Sequence, residues 1–271
     1  MSLLRASLLA LAGCAASATL MAAPPERGNG LGMRFVQVPA GEFLMGTSDL
    51  FDVLSDSGLA NAAQIVDETP AHRVRISRPF WLGKTEVTQE LWQKVMGTRP
   101  GPAKHWERRD WRRLPVVGVS WDDTQDFIHR LQRHTPGYRY RLPTEAEFEY
   151  AARAGSEGLR PFPAEELDRH AWLLRNSGDL PQPVATRAAN AFGLHDLLGN
   201  AWEWVQDWYG RDYYAFSPGT DPQGPAQGTL RVRRGGSYHC PLHMVRPAFR
   251  AADEPGTRYT VLGFRLVLVS R

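Results

Sequence analysis

Two cysteines in 271 residues are too few for a disulfide framework, and their positions remove even a single internal bridge. Cys14 lies in an apolar leader, "ASLLALAGCAASATLMAA", preceded by Arg5 as the one early charge. The run is too short and too interrupted for a membrane span and reads as a secretory signal. Two cleavage readings stand side by side. "LAGC" at 11–14 resembles a lipoprotein box, which would place lipid on Cys14, whereas the small residues around Ala22 and Ala23 suit ordinary signal peptidase. In both, Cys240 is the one thiol of the mature chain. A thiol exported without a partner is buried and inert, metal-bound, reactive by design, or joined to another chain.

Other absences narrow the function. The net charge is only +3, and no basic run is interleaved with aromatics, so nucleic acid is set aside. A Ser/His/Asp triad, a phosphate loop and a zinc signature are all missing. There is no internal repeat, no linker between Gly32 and Arg271, and no alternation of strand and helix of the βαβ kind. The organisation that remains is a signal peptide at 1–23, a tether at 24–30, and a single α+β domain at 31–271, about 250 residues in all once the leader is gone. What the chain has in plenty is Gly (25), Pro (20) and Trp (9), which together describe many irregular loops pinned by large aromatic side chains.

Local patterns place the elements. "MRFVQVPAGEFLMG" alternates around Pro39-Ala40-Gly41 and predicts two strands joined by a tight turn. The stretch 50–69 lacks a period and is expected to be a surface loop. "HRVRISRPFWLGKTEV" predicts a further strand pair, with Val74, Ile76 and Phe80 on one face. Thr88 caps a short helix, "QELWQKVM", that stops at Gly97. A second helix follows Ser120, with Asp122 and Asp123 in its first turn and Phe127, Ile128 and Leu131 inward. "YRYRLPTEAEFEYAARAG" gives a strand, a capping box from Thr144 to Glu147, and a helix to Gly155. Glu145, Glu147 and Glu149 are read as capping and solvated charge rather than an acid/base pair. Strands are also expected in "NAFGLHDLLGNAWEWVQDWY", "GTLRVRRGGSY" and the final "LGFRLVLV".

"VPAGEFLMG", "RLPTEAEFEYAARAG" at 141–155, "NAFGLHDLLGNAWEW" at 190–204, "RVRRGGSYHC" at 231–240 and "LGFRL" at 262–266 resemble, in this order, the formylglycine-generating enzyme family, also called the sulfatase-modifying factor family. The resemblance spans nearly the whole mature chain. It implies a loop-rich mixed fold distantly like C-type lectin domains, with bound calcium in some members. The superfamily is functionally divided: copper-dependent cysteine oxidases, an exported protein of pyoverdine maturation, domains of sulfoxide synthases, and members that act by binding alone. Fold therefore does not settle function.

In the oxidases of that family, two thiols five residues apart hold copper(I), which favours soft sulfur at low coordination number. Cys240 matches the first thiol, but Val245 stands at the second, and an isopropyl group ligates nothing. His243, returning past Pro241, would be a substitute donor to copper or iron beside Cys240; the alternative is that His239 and His243 are surface or hydrogen-bonded loop residues. If 237–240 continues the strand, His239 and Cys240 point to opposite faces. For Cys240 itself the alternative is a buried small hydrophobe. The resemblance further places Ser237 beside the reacting sulfur, and Trp202, Tyr238 and Arg246 at the substrate. It implies one calcium at Asp196 and Glu203 through carboxylates and Gly199 and Ala201 through carbonyls, an all-oxygen set of the kind a hard cation needs. The tryptophans at 202, 204 and 208 are expected as core and pocket walls.

Three functions follow. One is an exported oxidoreductase or maturation factor acting on a peptide or siderophore-type substrate in the periplasm or cell envelope. The second is a non-catalytic binding module, an immunity or envelope protein with a protein partner. The third is true formylglycine generation, which Val245 disfavours. All three rest on one geometric expectation, that the Cys240 sulfur opens into a concave, aromatic-walled recess.

Overall fold

The computed structural model describes residues 24–57 and 65–269; the leader, Cys14 and both cleavage sites lie outside the described residues. Its strands are β1 (Glu26–Gly28), β2 (Arg34–Val38), β3 (Gly41–Met45), β4 (His72–Ile76), β5 (Phe80–Gly83), β6 (Arg139–Arg141), β7 (Trp202–Trp208), β8 (Arg231–Arg234), β9 (Ala251–Asp253), β10 (Leu262–Phe264) and β11 (Val267–Val269). They form three sheets, ordered β1-β2-β5-β11-β6, β10-β7-β8-β9 and β3-β4. Every pairing is antiparallel except that of β10 with β7. The helices are α1 (Leu50–Ser57), α2 (Gln89–Met96), α3 (Ala103–Trp106), α4 (Trp121–His134), α5 (Glu145–Arg153), α6 (Leu167–His170) and α7 (Leu174–Ser177). Short elements joined by long irregular loops give the α+β, loop-rich architecture expected from composition.

The helices form where local chemistry demands them. Thr88 accepts the Leu91 amide at 3.3 Å to open α2, which closes on Gly97 at φ +74°. Ser120 with Asp123 opens α4, and Thr144 with Glu147 opens α5, as reciprocal capping boxes. Such a cap is worth about 1 kcal/mol. On the buried face of α4, Phe127 stacks on Trp92 of α2 at 5.4 Å and meets Phe264 edge-on at 5.3 Å. This aromatic trio ties two helices to β10.

Four expectations are corrected. The supposed tether carries β1, zipped to β2 from Glu26–Val36 to Gly28–Arg34. The stretch 50–69 holds α1 and a helical turn at Val66–Glu68 instead of being loop throughout. "LGFRLVLV" splits after Phe264 into β10 and β11, which belong to different sheets. The glutamates of α5 are buried rather than solvated, as described below. Among the described residues, no helix is long and apolar enough to cross a membrane.

Candidate functional site

Strand β8 ends at Arg234, and the chain then turns instead of continuing as a strand. Gly235 and Gly236 take φ +94° and +76°. A Cβ on the first would come within 2.9 Å of the Leu197 carbonyl oxygen, and on the second within 3.0 Å of the Met244 carbonyl oxygen. Only glycine fits both the backbone conformation and the close approach. The turn buries Ser237 and brings its Oγ to 3.3 Å from Cys240 Sγ, while the Cys240 amide donates to the Ser237 carbonyl at 3.0 Å. His239 faces outward onto Asp179 and Cys240 inward, so the two diverge as expected although no strand is present. Tyr238 is fixed by its amide to the Asn200 carbonyl (2.8 Å) and its hydroxyl to the Thr260 carbonyl (3.3 Å); burial pushes its phenol up to about 12.

The segment after Cys240 is clamped by arginines. Arg160 donates to the carbonyls of Val245 and Leu242, both at 3.2 Å, and pairs with Asp56 of α1. Arg234 donates to the carbonyls of Pro247, Ala248 and Phe249 and pairs with Glu149. Arg250 grips Glu145 through two nitrogens. Arg246, expected at the substrate, is fully buried: both terminal nitrogens bind Glu68 at 2.8 and 2.6 Å, and Nε binds the His243 carbonyl. It holds the loop and presents no donor outward, which corrects its expected role.

Cys240 is 5% exposed and belongs to the core cluster that contains Trp202, Val245 and Phe249. Trp202 is 4% exposed, with Phe249 at 5.9 Å on one side and the Arg233 guanidinium at 4.3 Å over its ring. A hollow of about 530 Å³ lies elsewhere, between Ser77–Trp81, Arg141, Glu147 and Val267–Val269, and none of Cys240, Ser237 or Trp202 lines it. The sulfur is therefore packed among side chains, not set at the mouth of that recess. Val245, fully buried, fills the place of a second sulfur with methyl groups. His243 leaves Nε2 buried without a partner, and burial followed by the Arg246 charge holds its imidazole below the ordinary value. Among the described residues, no three His, Cys, Asp or Glu side chains converge as a metal cluster. One sulfur and one imidazole do not fit the two-thiolate copper chemistry.

The expected calcium residues lie at the start of β7. Glu203 is fully buried and gives both oxygens to Arg265 at 2.6 and 2.7 Å. Asp196, at φ +57°, accepts the Ala185 amide through Oδ2, whereas its Oδ1 is buried without a partner. Beside them stands Glu86, which precedes α2: Asn200 donates to its Oε1 at 2.9 Å, and its Oε2 is buried without a partner. Burial, reinforced by neighbouring carboxylates, raises Glu86 well above the ordinary range, and burial also raises Asp196 and Glu203. Glu86, Asp196 and Glu203 are all buried within the field of one buried arginine, Arg265. The buried, unpartnered Asp196 Oδ1 is an oxygen of the kind a hard divalent cation takes alongside backbone carbonyls, whereas both Glu203 oxygens are engaged by Arg265. Glu86 was not foreseen, because it lies 114 residues before Asn200 in sequence and reads locally as nothing but the approach to a helix.

A loop-rich α+β domain whose glycine turn presents a serine and a single cysteine defines a class of sulfatase-modifying-factor-like proteins. The chain belongs to that family: residues 21–269 match the sulfatase-modifying factor enzyme 1-like domain. It is similar to the formylglycine-generating enzyme of Streptomyces coelicolor, 32% identical over an alignment of 292 positions that spans 85% of this chain and 87% of that protein. The structure of PvdO from Pseudomonas aeruginosa superposes with a TM-score of 0.76 at 28% identity, covering 91% of this chain and 98% of that one. Treponema denticola variable protein 1 superposes at 0.75 with 26% identity, covering 90% and 98%.

Proposed function

We propose that this protein is an exported maturation factor of the cell envelope that acts on a peptide or siderophore-type substrate, and does so without the two-thiolate copper centre. The observation that carries this reading is the Ser237–Cys240 contact of 3.3 Å, held on the glycine turn at the family's chemical position, with Val245 in place of the second sulfur. Ser237 Oγ and Cys240 Sγ share one hydrogen bond, so the hydroxyl orients the thiol. Trp202 and Tyr238 shape the ground around them. A single calcium, held by Asp196 and Glu203 with the carbonyls of Gly199 and Ala201, would act structurally by stapling the start of β7 to the loop before it.

The second reading, a binding module without catalysis, is favoured by the burial of the sulfur at 5% exposure. One experiment separates the two. A strain lacking the gene is complemented with the wild type or with Cys240→Ala, and its secreted peptides and siderophores are compared by mass spectrometry. Accumulation of an immature product that the wild type clears and the variant does not supports the maturation reading. Full complementation by Cys240→Ala leaves the binding reading. Formylglycine generation is tested separately by incubating the protein with a sulfatase-type cysteine peptide, copper and oxygen, where no aldehyde is expected.

A further inference from the structure

The hollow of about 530 Å³ beside β5 and β11 has no part in the chemistry of Cys240, and its lining is unevenly partnered. Its two carboxylates are engaged within the chain. Glu147 takes Arg141 through both oxygens at 2.6 and 2.7 Å, and the Thr144 amide at 2.9 Å. Asp221 accepts the Ser77 amide at 2.8 Å through Oδ1 and bonds the Ser77 hydroxyl through Oδ2. Arg78, between Ser77 and β5, is exposed and has no hydrogen bond or ion pair among the described residues. The side-chain amides of Gln206, half-buried on β7, and of exposed Gln223 make no hydrogen bond among them either.

The walls are fixed by the chain itself. The segment through Gly219 and Asp221 runs along β4: the Arg75 amide donates to the Gly219 carbonyl and the Asp221 amide to the Arg75 carbonyl, both at 2.9 Å. Asp221 thus pins the corner that carries Arg78. The apolar side comes from β5 and β11, which pair with Leu268 opposite Trp81 and Val267 opposite Leu82. Alternation along the strands then puts Phe80, Val267 and Val269 on one face of the sheet. Val269 remains 38% exposed, so aliphatic surface and an unpaired cation border the same space. Small-ligand sites have volumes of about 300–1,000 Å³ and combine apolar walls with a few placed polar groups in the same way.

We propose that this hollow binds a short peptide segment that carries a carboxylate next to an aliphatic side chain. The lining sets the sign of the ligand's charge. With Glu147 paired to Arg141 and Asp221 held by Ser77, the charged group left without a partner is the Arg78 guanidinium, whose planar fork matches a carboxylate. Asp221 keeps its own charge, which favours a ligand with N–H groups over a bare anion. Gln206 and Gln223 each offer a donor and an acceptor, the complement of a peptide group, and the Phe80–Val269 face receives the aliphatic side chain. The carboxylate is that of a chain end or of an acidic side chain. None of Ser237, Cys240 or Trp202 lines the hollow, so the site stands whether or not the thiol is chemically active.

The test titrates the full mature chain by calorimetry with three acetylated tetrapeptides. One ends in leucine with a free carboxylate, one ends in leucine amide, and one has aspartate before the leucine amide. The wild type is expected to bind at least one of the two charged peptides about tenfold more tightly than the neutral one, and the preferred peptide tells a chain end from an acidic side chain. Arg78→Gln should bind that peptide about tenfold more weakly, the worth of one charge-assisted pair, and bind the neutral peptide as the wild type does. Arg78→Lys, which keeps the charge without the planar fork, should fall between them. Because Arg78 is exposed and unpaired, both variants should melt with the wild type, which separates a lost contact from a lost fold. No binding of any of the three at millimolar peptide would overturn the proposal. So would equal affinity for charged and neutral peptides, or an affinity that Arg78→Gln leaves unchanged.

Discussion

At the scale of single residues, the segment after Cys240 is fixed less by its own sequence than by buried ion pairs. Arg246 and Glu68 are both fully buried and meet through two hydrogen bonds, and Thr47 Oγ1 adds a third to the same carboxylate. Removing one partner of such a pair leaves an uncompensated buried charge, which costs about 3–5 kcal/mol. Glu68→Ala is therefore expected to lower unfolding stability by that amount, read from the denaturant midpoint at constant slope. The double variant Glu68→Ala/Arg246→Met should recover much of the loss, since it removes both charges. A Glu68→Ala midpoint within error of the wild type would mean that the pair does not hold the loop. The same contrast explains what sequence reading missed in the glutamates of α5. Glu147 is the capping residue that local pattern identifies, and it pairs with the nearby Arg141. Glu145 and Glu149 look alike in sequence, and although Glu149 has a local partner in Arg153, what buries the two is Arg250 and Arg234, 105 and 85 positions away. Nothing in a short window separates a solvated glutamate from one buried against a remote arginine.

At the scale of elements, α1 has the most direct bearing on the site. It packs on the turn Leu242–Met244, with Val53 fully buried and Leu50 and Leu54 half-buried against the core, while Phe51 is exposed. Asp56 at its end pairs with Arg160, the same guanidinium that holds the carbonyls of Leu242 and Val245. The helix thus lies over the segment that buries Cys240. Asp56→Ala leaves Arg160 on its two carbonyls and releases only the helix, so it should cost at most about 1–3 kcal/mol of global stability. It should also raise several-fold the rate at which Cys240 reacts with a thiol reagent, measured under native conditions. An unchanged rate would assign the protection of the sulfur to the core around Trp202 and Phe249 alone. Sequence reading saw α2, α4 and α5 because caps and 3.6-residue periods are local and strong. It missed α1 because an eight-residue helix beside an aperiodic stretch has too little pattern to register. It merged β10 with β11 for the opposite reason: both are apolar, and the break at Arg265 is set by that residue's turn inward to Glu203.

At the scale of the whole molecule, stability should depend on pH through two buried groups that act in opposite senses. His105 on α3 is 1% exposed, its Nδ1 has no partner, and burial, with Lys104 and Arg108 nearby, lowers it from 6.5 to about 4. The unfolded chain binds this proton first on acidification, so the stability His105 contributes is complete above pH 6.5 and is lost as pH falls toward 4. Asp207 on β7 is 2% exposed and accepts the Glu145 amide; burial, followed by the Glu145 charge, raises it well above its ordinary 3.8. Here the native state binds the proton first, so its contribution is present at low pH and is lost as pH rises through the native value. Each proton taken up differentially gives a slope of at most about 1.4 kcal/mol per pH unit. Unfolding measured from pH 4 to pH 8 should therefore change as follows. His105→Gln should flatten the loss on the acid side between 6.5 and 4, whereas Asp207→Asn, which keeps an oxygen for the Glu145 amide, should flatten the decline toward higher pH and raise stability at pH 7. Because the two groups sit on separate elements, α3 and β7, their effects should add in the double variant. Profiles of the single variants that run parallel to the wild type would mean that neither group changes its proton affinity on folding, and that the acid response belongs to the arginine-bound carboxylates instead.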